Sequence, residues 1–320
     1  MSNPQTVLIT GATGGIGKEV ARLFVKEGHN VYVGGRNIGR LTAVLEELRV
    51  EKRDESQKIE PFCCDLVDFG AVREATKDIL ESLPDTVILN AATMFPKPNT
   101  NPLLPEKDTE ETMKANVLGH YLLLSILFCH RASRNSSHHF HIVGLTSILA
   151  RHCFYRPRRI PSSAIEAGSA FSSNSLFTDG WKSYINSKAA MIMLIQHLRT
   201  RENVTAVVIH PGIARTRMTD SIPTFQVFFI RIFLILKPIN FDNEEGCAAR
   251  VFDAAIRRES LQEDEWIEGE KGVQPLPVTF TEEHRKAFID FADEKTEAYI
   301  GMEREEVQEE DNTADGESNE

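Results

Sequence analysis

The chain of 320 residues contains no run of 18 apolar residues. A helix that crosses a bilayer needs about 20, so no membrane-spanning helix is expected. Nor is a secretory leader expected. Met1-Ser2-Asn3-Pro4 runs straight into an apolar strand, without the basic segment, apolar stretch and cleavage site of a secretory signal. Cysteine is scarce: the five, at 63, 64, 129, 153 and 247, form an odd set without the spacing of a small disulfide-bonded domain. That usage fits a reducing compartment and a cytoplasmic location. Cations are outnumbered, 36 Lys and Arg against 47 Asp and Glu, for a net charge of −11. No basic stripe offers the clustered positive charge that neutralises a phosphate backbone, so no nucleic-acid partner is expected. His139 and His141 share a face of one alternating segment, but no carboxylate or cysteine completes a shell beside them, and no metal is expected. Nineteen glycines and 14 prolines are far from fibrous composition, and no internal repeat occurs.

What is present is a 41% hydrophobic chain, enough for a sizeable core. Over the first 210 residues, short apolar runs alternate with longer amphipathic ones, the rhythm of a parallel sheet covered by helices on both faces. Strands are expected at Thr6 to Thr10, Asn30 to Val33, Ile59 to Cys63, Thr86 to Leu89, Phe140 to Leu145 and Val204 to Ile209. Helices are expected at Gly17 to Lys26, Arg40 to Arg53, Ala71 to Leu83 and Ala115 to Cys129. The expected fold is α/β, a doubly wound parallel sheet in one enlarged domain over residues 1–302, with its ligand beyond the carboxyl ends of the strands. Three segments break the rhythm: a polar insertion at 148–179, a stretch at 219–241 holding the apolar run 225–236, and residues 303–320. The last carries nine acidic residues against Arg304 alone, which leaves −3 for the preceding 302 residues, and an unstructured tail is expected there.

The first strand ends in Thr10-Gly11-Ala12-Thr13-Gly14-Gly15-Ile16-Gly17, and an amphipathic helix follows at once. A glycine-rich turn between strand and helix lets the backbone approach a pyrophosphate and aims helix amides at its charge. Gly11, Thr13, Gly15, Ile16 and Gly17 are the expected phosphate cradle. After the second strand, a site for NAD usually offers a carboxylate to the ribose 2′-hydroxyl, whereas one for NADP offers arginine to the 2′-phosphate. Between Gly28 and Leu45 there is no Asp or Glu, while Arg36, Asn37 and Arg40 stand just past the strand. The expected cofactor is therefore NADP(H), with Arg36 making charge-assisted bonds to the phosphate. Asp65-Leu66 after the third strand and Asn90-Ala91 after the fourth lie where an adenosine would rest.

Tyr184 and Lys188 stand four apart at the start of a helix with Met191, Leu194, Ile195 and Leu198 on its apolar face. A tyrosine with a pKa near 10 is a poor acid–base group at neutral pH. An ammonium about 4 Å away at an effective dielectric near 20 favours the phenolate by roughly 4 kcal/mol, at most about three pKa units. Such a phenol would titrate close to working pH, where acid–base catalysis is efficient. Ser147, at the end of the fifth strand, is placed to bond a substrate oxygen. Asn116, beginning the helix after strand four, is placed to hold a water near Lys188.

Taken in order, Thr10-Gly11-x-x-x-Gly15-x-Gly17, Asp65, Asn90-Ala91-Ala92, Asn116, Ser147, Tyr184-x-x-x-Lys188, and His210-Pro211-Gly212 with Thr216 resemble the short-chain dehydrogenase/reductase family. Gly35-Arg36-Asn37 and Asn116-Val117-x-Gly119-His120 look most like its retinol-dehydrogenase-like branch. The resemblance implies hydride transfer between the nicotinamide and a carbonyl or alcohol carbon of a small molecule. Tyr184 would exchange the proton, Lys188 would hold the nicotinamide ribose, Ser147 would orient the oxygen and Asn116 would support the relay. Pro211, Gly212 and Thr216 would contact the nicotinamide end. A homodimer or homotetramer is compatible with the family. The 225–236 run would form a lid over a lipophilic substrate, its rival role being peripheral contact with an intracellular membrane, which Arg231 and Lys237 tolerate. Two other classes of function remain at this point. One is a nucleotide-sensing protein without turnover; the other is a sugar-nucleotide epimerase, since Gly11, Gly14 and Gly17 also satisfy Gly-x-x-Gly-x-x-Gly.

Overall fold

The computed structural model describes residues 4–94, 111–134, 136–153, 179–214 and 242–317. Eight strands form one sheet: β1 (Thr6–Ile9), β2 (Asn30–Gly35), β3 (Ile59–Cys63), β4 (Thr86–Leu89), β5 (Phe140–Leu145), β6 (Val204–His210), β7 (Glu265–Glu268) and β8 (Val273–Pro275). Their order is β3-β2-β1-β4-β5-β6-β7-β8. All neighbours are parallel except β7 and β8. The six strands expected from periodicity are present, with β1 one residue shorter and β2 and β6 extended to Gly35 and His210. The winding reverses after β3, when the chain returns to place β4 on the other side of β1. The carboxyl ends of β1 and β4 therefore flank the crevice where ligands bind in such sheets.

Successive strand residues face opposite sides of a pleated sheet, and here both sides are buried. Val7, Ile9, Val31, Val33, Val207 and Ile209 pack against α1 (Gly15–Lys26), α2 (Ile38–Arg49) and, further along the chain, α6 (Glu244–Arg257). Leu8, Val87, Leu89, Phe140, Ile142 and Val208 face the other side. There they meet α3 (Phe69–Lys77), α4 (Glu111–Ser133) and α5 (Asp179–Leu198). Helix starts are set by short polar side chains that satisfy orphan amides. Asn37 accepts from the Arg40 amide at 3.0 Å, Asp68 from Ala71 at 3.0 Å, and Asn243 from Gly246 at 2.7 Å.

Helix α4 is apolar on nearly every side. By length and composition it is the one helix among the described residues apolar enough to cross a membrane, yet 78% of its apolar window is buried. The burial is completed by α7 (Glu282–Glu317), which packs over α4, where the Tyr121 hydroxyl donates to Asp293 at 2.5 Å. Tyr299 meets Phe69 edge-on at 5.8 Å, and Arg73 lies 3.6 Å from the Glu303 carboxylate, which is 3% exposed. The expectation of an unstructured tail from residue 303 is corrected here: the helix crosses that point and continues to Glu317. The run is rich in glutamate, a good helix former, and Glu303 is neutralised by Arg73 instead of repelling its neighbours.

Candidate active site

At the end of β1 the chain turns sharply at Gly11, with φ at +65°, and a Cβ there would lie 2.7 Å from the Ala91 backbone. Only glycine permits both that conformation and that approach. The Ala12 amide bonds the Gly34 carbonyl at 2.7 Å, so the turn crosses the end of β2, and α1 then begins at Gly15. A side chain at Gly14 would meet nothing within 4 Å. The turn is therefore open beside Gly14, and it leads directly into the N-terminus of α1, the end of a helix that favours an anion. Thr13, Ile16 and Gly17 belong to the same turn, with Gly17 buried beneath it.

On the β2 side, Arg36 is 64% exposed at the strand's carboxyl end and lies 3.5 Å from the Asp65 carboxylate beyond β3, itself 43% exposed. Asn37 caps α2 and Arg40 sits exposed on that helix's first turn. Asp65 also accepts from the Val67 amide at 3.2 Å, and Leu66 is buried against the fold.

The β1 and β4 ends are tied by one hydroxyl. Thr10 Oγ1 accepts from the Asn90 and Ala91 amides, each at 3.0 Å, and lies 2.8 Å from His120 Nε2. The Asn90 amide group donates to the carbonyls of Thr10 at 2.8 Å and Gly11 at 3.1 Å. His120 Nδ1 sits 3.0 Å from the Asn116 carbonyl. A carbonyl can only accept, so Nδ1 carries the proton and Nε2 accepts from Thr10. Burial holds the ring neutral, with its pKa pushed down to about 4.

Asn116 lies within a π-helical turn, Lys114–Leu118, inside α4, and not at the helix start. Such one-turn bulges re-aim side chains and recur at functional sites. Its Oδ1 accepts from the Thr93 amide at 2.7 Å, and its Nδ2 donates to the Thr93 carbonyl at 3.0 Å and to Ser187 Oγ at 2.9 Å. The side chain thus bonds Thr93 and Ser187, and its Oδ1 keeps one lone pair beyond the bond from Thr93.

Tyr184 and Lys188 face the same region from the first turns of α5, and both are buried. Lys188 Nζ donates to the Leu145 carbonyl at 3.1 Å and lies 5.7 Å from the centre of the Tyr184 ring. Thr146 Oγ1 donates to the Lys188 carbonyl at 2.7 Å, fastening α5 to the end of β5. Burial pushes the phenol up to about 12, and hydrogen bonding with the Ser147 hydroxyl offsets part of that rise. Burial pushes the Lys188 ammonium down to about 8. The structure thus brings Ser147, Tyr184 and Lys188 together, but the expected lowering of the phenol's pKa by the lysine is absent. One of the three Lys188 N–H groups is given to the Leu145 carbonyl, and desolvation of the phenol dominates.

A family model for short chain dehydrogenases matches residues 5–155, just under half of the chain, the part that carries the glycine turn, Asn90, Asn116 and Ser147. Human polyprenol dehydrogenase is 24% identical over 223 residues, which cover 66% of this chain and 61% of that protein. Mouse retinol dehydrogenase 13 is 27% identical over 225 residues, covering 67% and 60% respectively. By these matches the chain is similar to the short-chain dehydrogenase/reductase family, and the named relatives point to its retinol-dehydrogenase-like branch. The chain spans about three fifths of the length of these two relatives. Among solved structures, L-sorbose reductase from Gluconobacter frateurii, complexed with NADPH and L-sorbose, superposes with a TM-score of 0.56 at 18% identity. The aligned part covers 79% of this chain and 89% of that one. A 7α-hydroxysteroid dehydrogenase complexed with NADH gives 0.57 at 21% identity, covering 78% and 87%. At these identities the superpositions show a common fold.

Pro211 and Gly212 follow β6 at the same sheet edge, while Thr216, the run 225–236 and residues 154–178 of the insertion lie outside the described residues. Sequence reasoning did not find the Thr10–His120 contact or the Asn116–Ser187 bond. One signal was available: Asn116 and His120 are four apart in a helical segment, so they share a face, as Tyr184 and Lys188 do.

Proposed function

We propose that the protein is an NADP(H)-dependent oxidoreductase that interconverts the carbonyl and alcohol forms of a lipophilic small molecule. The observation that carries this reading is the convergence of Tyr184, Ser147 and Lys188 at the carboxyl edge of the sheet, beside the end of β5 and across β4 from the glycine turn. The open turn at Gly14 and the exposed Arg36 fit a phosphorylated dinucleotide, with Gly11, Thr13, Gly15, Ile16 and Gly17 around its pyrophosphate. Arg36 would hold the 2′-phosphate, with Arg40 and Asn37 next to it at the start of α2. Asp65, Leu66, Asn90 and Ala91 would line the adenosine side, and Pro211 and Gly212 the nicotinamide side, where the family resemblance also assigns Thr216 a contact. When bound, the nicotinamide supplies or takes up the hydride.

In the reductive direction the Ser147 hydroxyl and the Tyr184 phenol hold the substrate carbonyl oxygen. The phenol, protonated throughout the neutral range, gives that oxygen its proton. The Lys188 ammonium then stabilises the phenolate left behind and bonds the nicotinamide ribose. Asn116 keeps the β4 end and α5 in register through Thr93 and Ser187, with His120 holding its backbone. The free state of all five cysteines suits a reducing, cytoplasmic setting. The names of the two relatives, a polyprenol and a retinol dehydrogenase, support an apolar substrate.

Calorimetric titration tests the cofactor assignment. NADPH is expected to bind at least about tenfold more tightly than NADH, and Arg36→Gln to erase most of that gap, since a charge-assisted bond is worth about 1.5–3 kcal/mol. Tighter binding of NADH by the wild-type chain would overturn the NADP assignment. A panel of apolar aldehydes and ketones followed by NADPH consumption tests the substrate class.

A further inference from the structure

The chain leaves β6 through Pro211-Gly212-Ile213-Ala214 and returns at Asp242, just ahead of α6. Leaving and returning stems lie side by side: Ala214 and Asp242 form a parallel bridge, and the Asp242 amide donates to the Ile213 carbonyl at 3.0 Å. Arg250, from the second turn of α6, reaches back to this neck. Its Nη1 donates to Asp242 Oδ2 at 2.9 Å and to the Pro211 carbonyl at 2.5 Å, while its Nη2 donates to Glu270 at 3.1 Å. The pair is shielded, with Arg250 17% and Asp242 28% exposed. It also packs on the turn itself. Gly212 has φ at +118°, and a Cβ there would lie 2.3 Å from Asp242 Oδ2 and 2.9 Å from Arg250 Nη1.

One guanidinium therefore ties together a carbonyl on the leaving stem, a carboxylate on the returning stem and the Gly269–Lys271 turn beyond β7. An ammonium on a flexible stem cannot span the same acceptors, whereas a planar fork does so with little loss of freedom. We propose that Arg250 and Asp242 act as a clamp that fixes the Pro211-Gly212 turn and the two points where segment 215–241 joins the fold, and so are positioning residues for the substrate end of the site. The catalytic consequence rests on the oxidoreductase reading above; the clamp itself rests on the geometry. Reacting groups tolerate little misplacement, since a shift of about 1 Å costs on the order of 100-fold in rate. The adenosine and pyrophosphate contacts lie at the ends of β1 to β4, out of the clamp's reach.

The full chain and its Arg250→Met, Arg250→Lys and Asp242→Ala variants, with the Arg250→Met/Asp242→Ala double variant, test this. Hydrogen exchange at the Asp242 amide and over residues 211–214 is expected to speed up at least about tenfold in Arg250→Met while β1 to β4 keep their protection. NADPH affinity should stay within about threefold, while the carbonyl KM rises about tenfold or more and kcat falls less. Arg250→Lys should recover part of the loss, and the double variant should be no worse than the worse single one, because both remove the same contact. Unchanged exchange in Arg250→Met, or additive losses in the double variant, would overturn the clamp. If the wild-type chain bound no NADPH, the oxidoreductase reading would fall while the exchange measurement still decided the clamp.

Discussion

At the scale of single residues, the two titrating groups of the site stand in opposite relations to neutral pH. Tyr184, pushed up to about 12, keeps its proton until it is needed, which suits an acid in carbonyl reduction. Lys188, pushed down to about 8, loses its charge within the range in which such an enzyme is assayed. The phenolate formed on proton transfer needs that charge beside it. The reductive kcat/KM should therefore be flat up to about pH 8 and fall above it. A profile flat to pH 10 would remove Lys188 from the mechanism, whatever the sequence pattern. Tyr184→Phe separates an enzyme from a nucleotide sensor: it should bind NADPH as the wild type does and lose about 10²–10⁴ in turnover. A sensor would show no difference between the two proteins across the substrate panel.

At the scale of elements, α7 shows what periodicity left unread. The first six strands and the glycine turn were legible because each is a short apolar run or a glycine cluster in strict order with its helix. β7 and β8 were not: Glu265-Trp266-Ile267-Glu268 is short and lies in a charged stretch, and Trp266 becomes fully buried only through tertiary packing. In α7 the core contacts Phe288, Phe291, Ala292 and Ile300 are scattered among acids and bases, so the net charge hid the helix. The site was legible to a similar depth. Tyr184, Lys188 and Ser147 come together as their types and order implied, whereas the commitment of Asn116 to Thr93 and Ser187 depends on a π-helical turn that no spacing rule foretells. The apolar face of α4 in turn makes α7 necessary. Phe291 is 1% exposed between α7 and the helices beneath it. Phe291→Ala should lower the unfolding free energy by about 3–5 kcal/mol in urea titration. A loss under about 1 kcal/mol would mean that α7 is not part of the cooperative core.

At the scale of the whole molecule, the formal charge of −11 says little about stability, because 8 of those charges belong to residues 303–320. Buried histidines say more. His120, His141 and His210 are each pushed by burial from 6.5 down to about 4. His120 lies between Thr10 and the Asn116 carbonyl, His141 within reach of the Ala254 carbonyl at 3.2 Å, and His210 stacked on Trp266 at 6.0 Å. Below pH 6.5 the unfolded chain takes up protons on all three, while the folded chain refuses them until about pH 4. The unfolded state then binds more protons than the native one, so stability falls as pH falls through that window. At pH 5 each ring costs about 2 kcal/mol if its neighbours do not relax, an upper figure that is still a large share of a typical domain's about 5–15 kcal/mol. Ordinary carboxylates, with pKa values near 4, take up little charge between pH 6.5 and 5, which isolates the histidine contribution. Urea unfolding at pH 7 and pH 5 should show the midpoint dropping at the lower pH. His210→Phe, which keeps an aromatic ring against Trp266 but cannot be protonated, should recover part of the drop, the rest lying with His120, His141 and the other histidines that burial also lowers, His29, His139 and His197. Equal midpoints at the two pH values would mean that these histidines are protonated within the fold, and the neutral Thr10–His120–Asn116 link at the centre of the site would have to be redrawn.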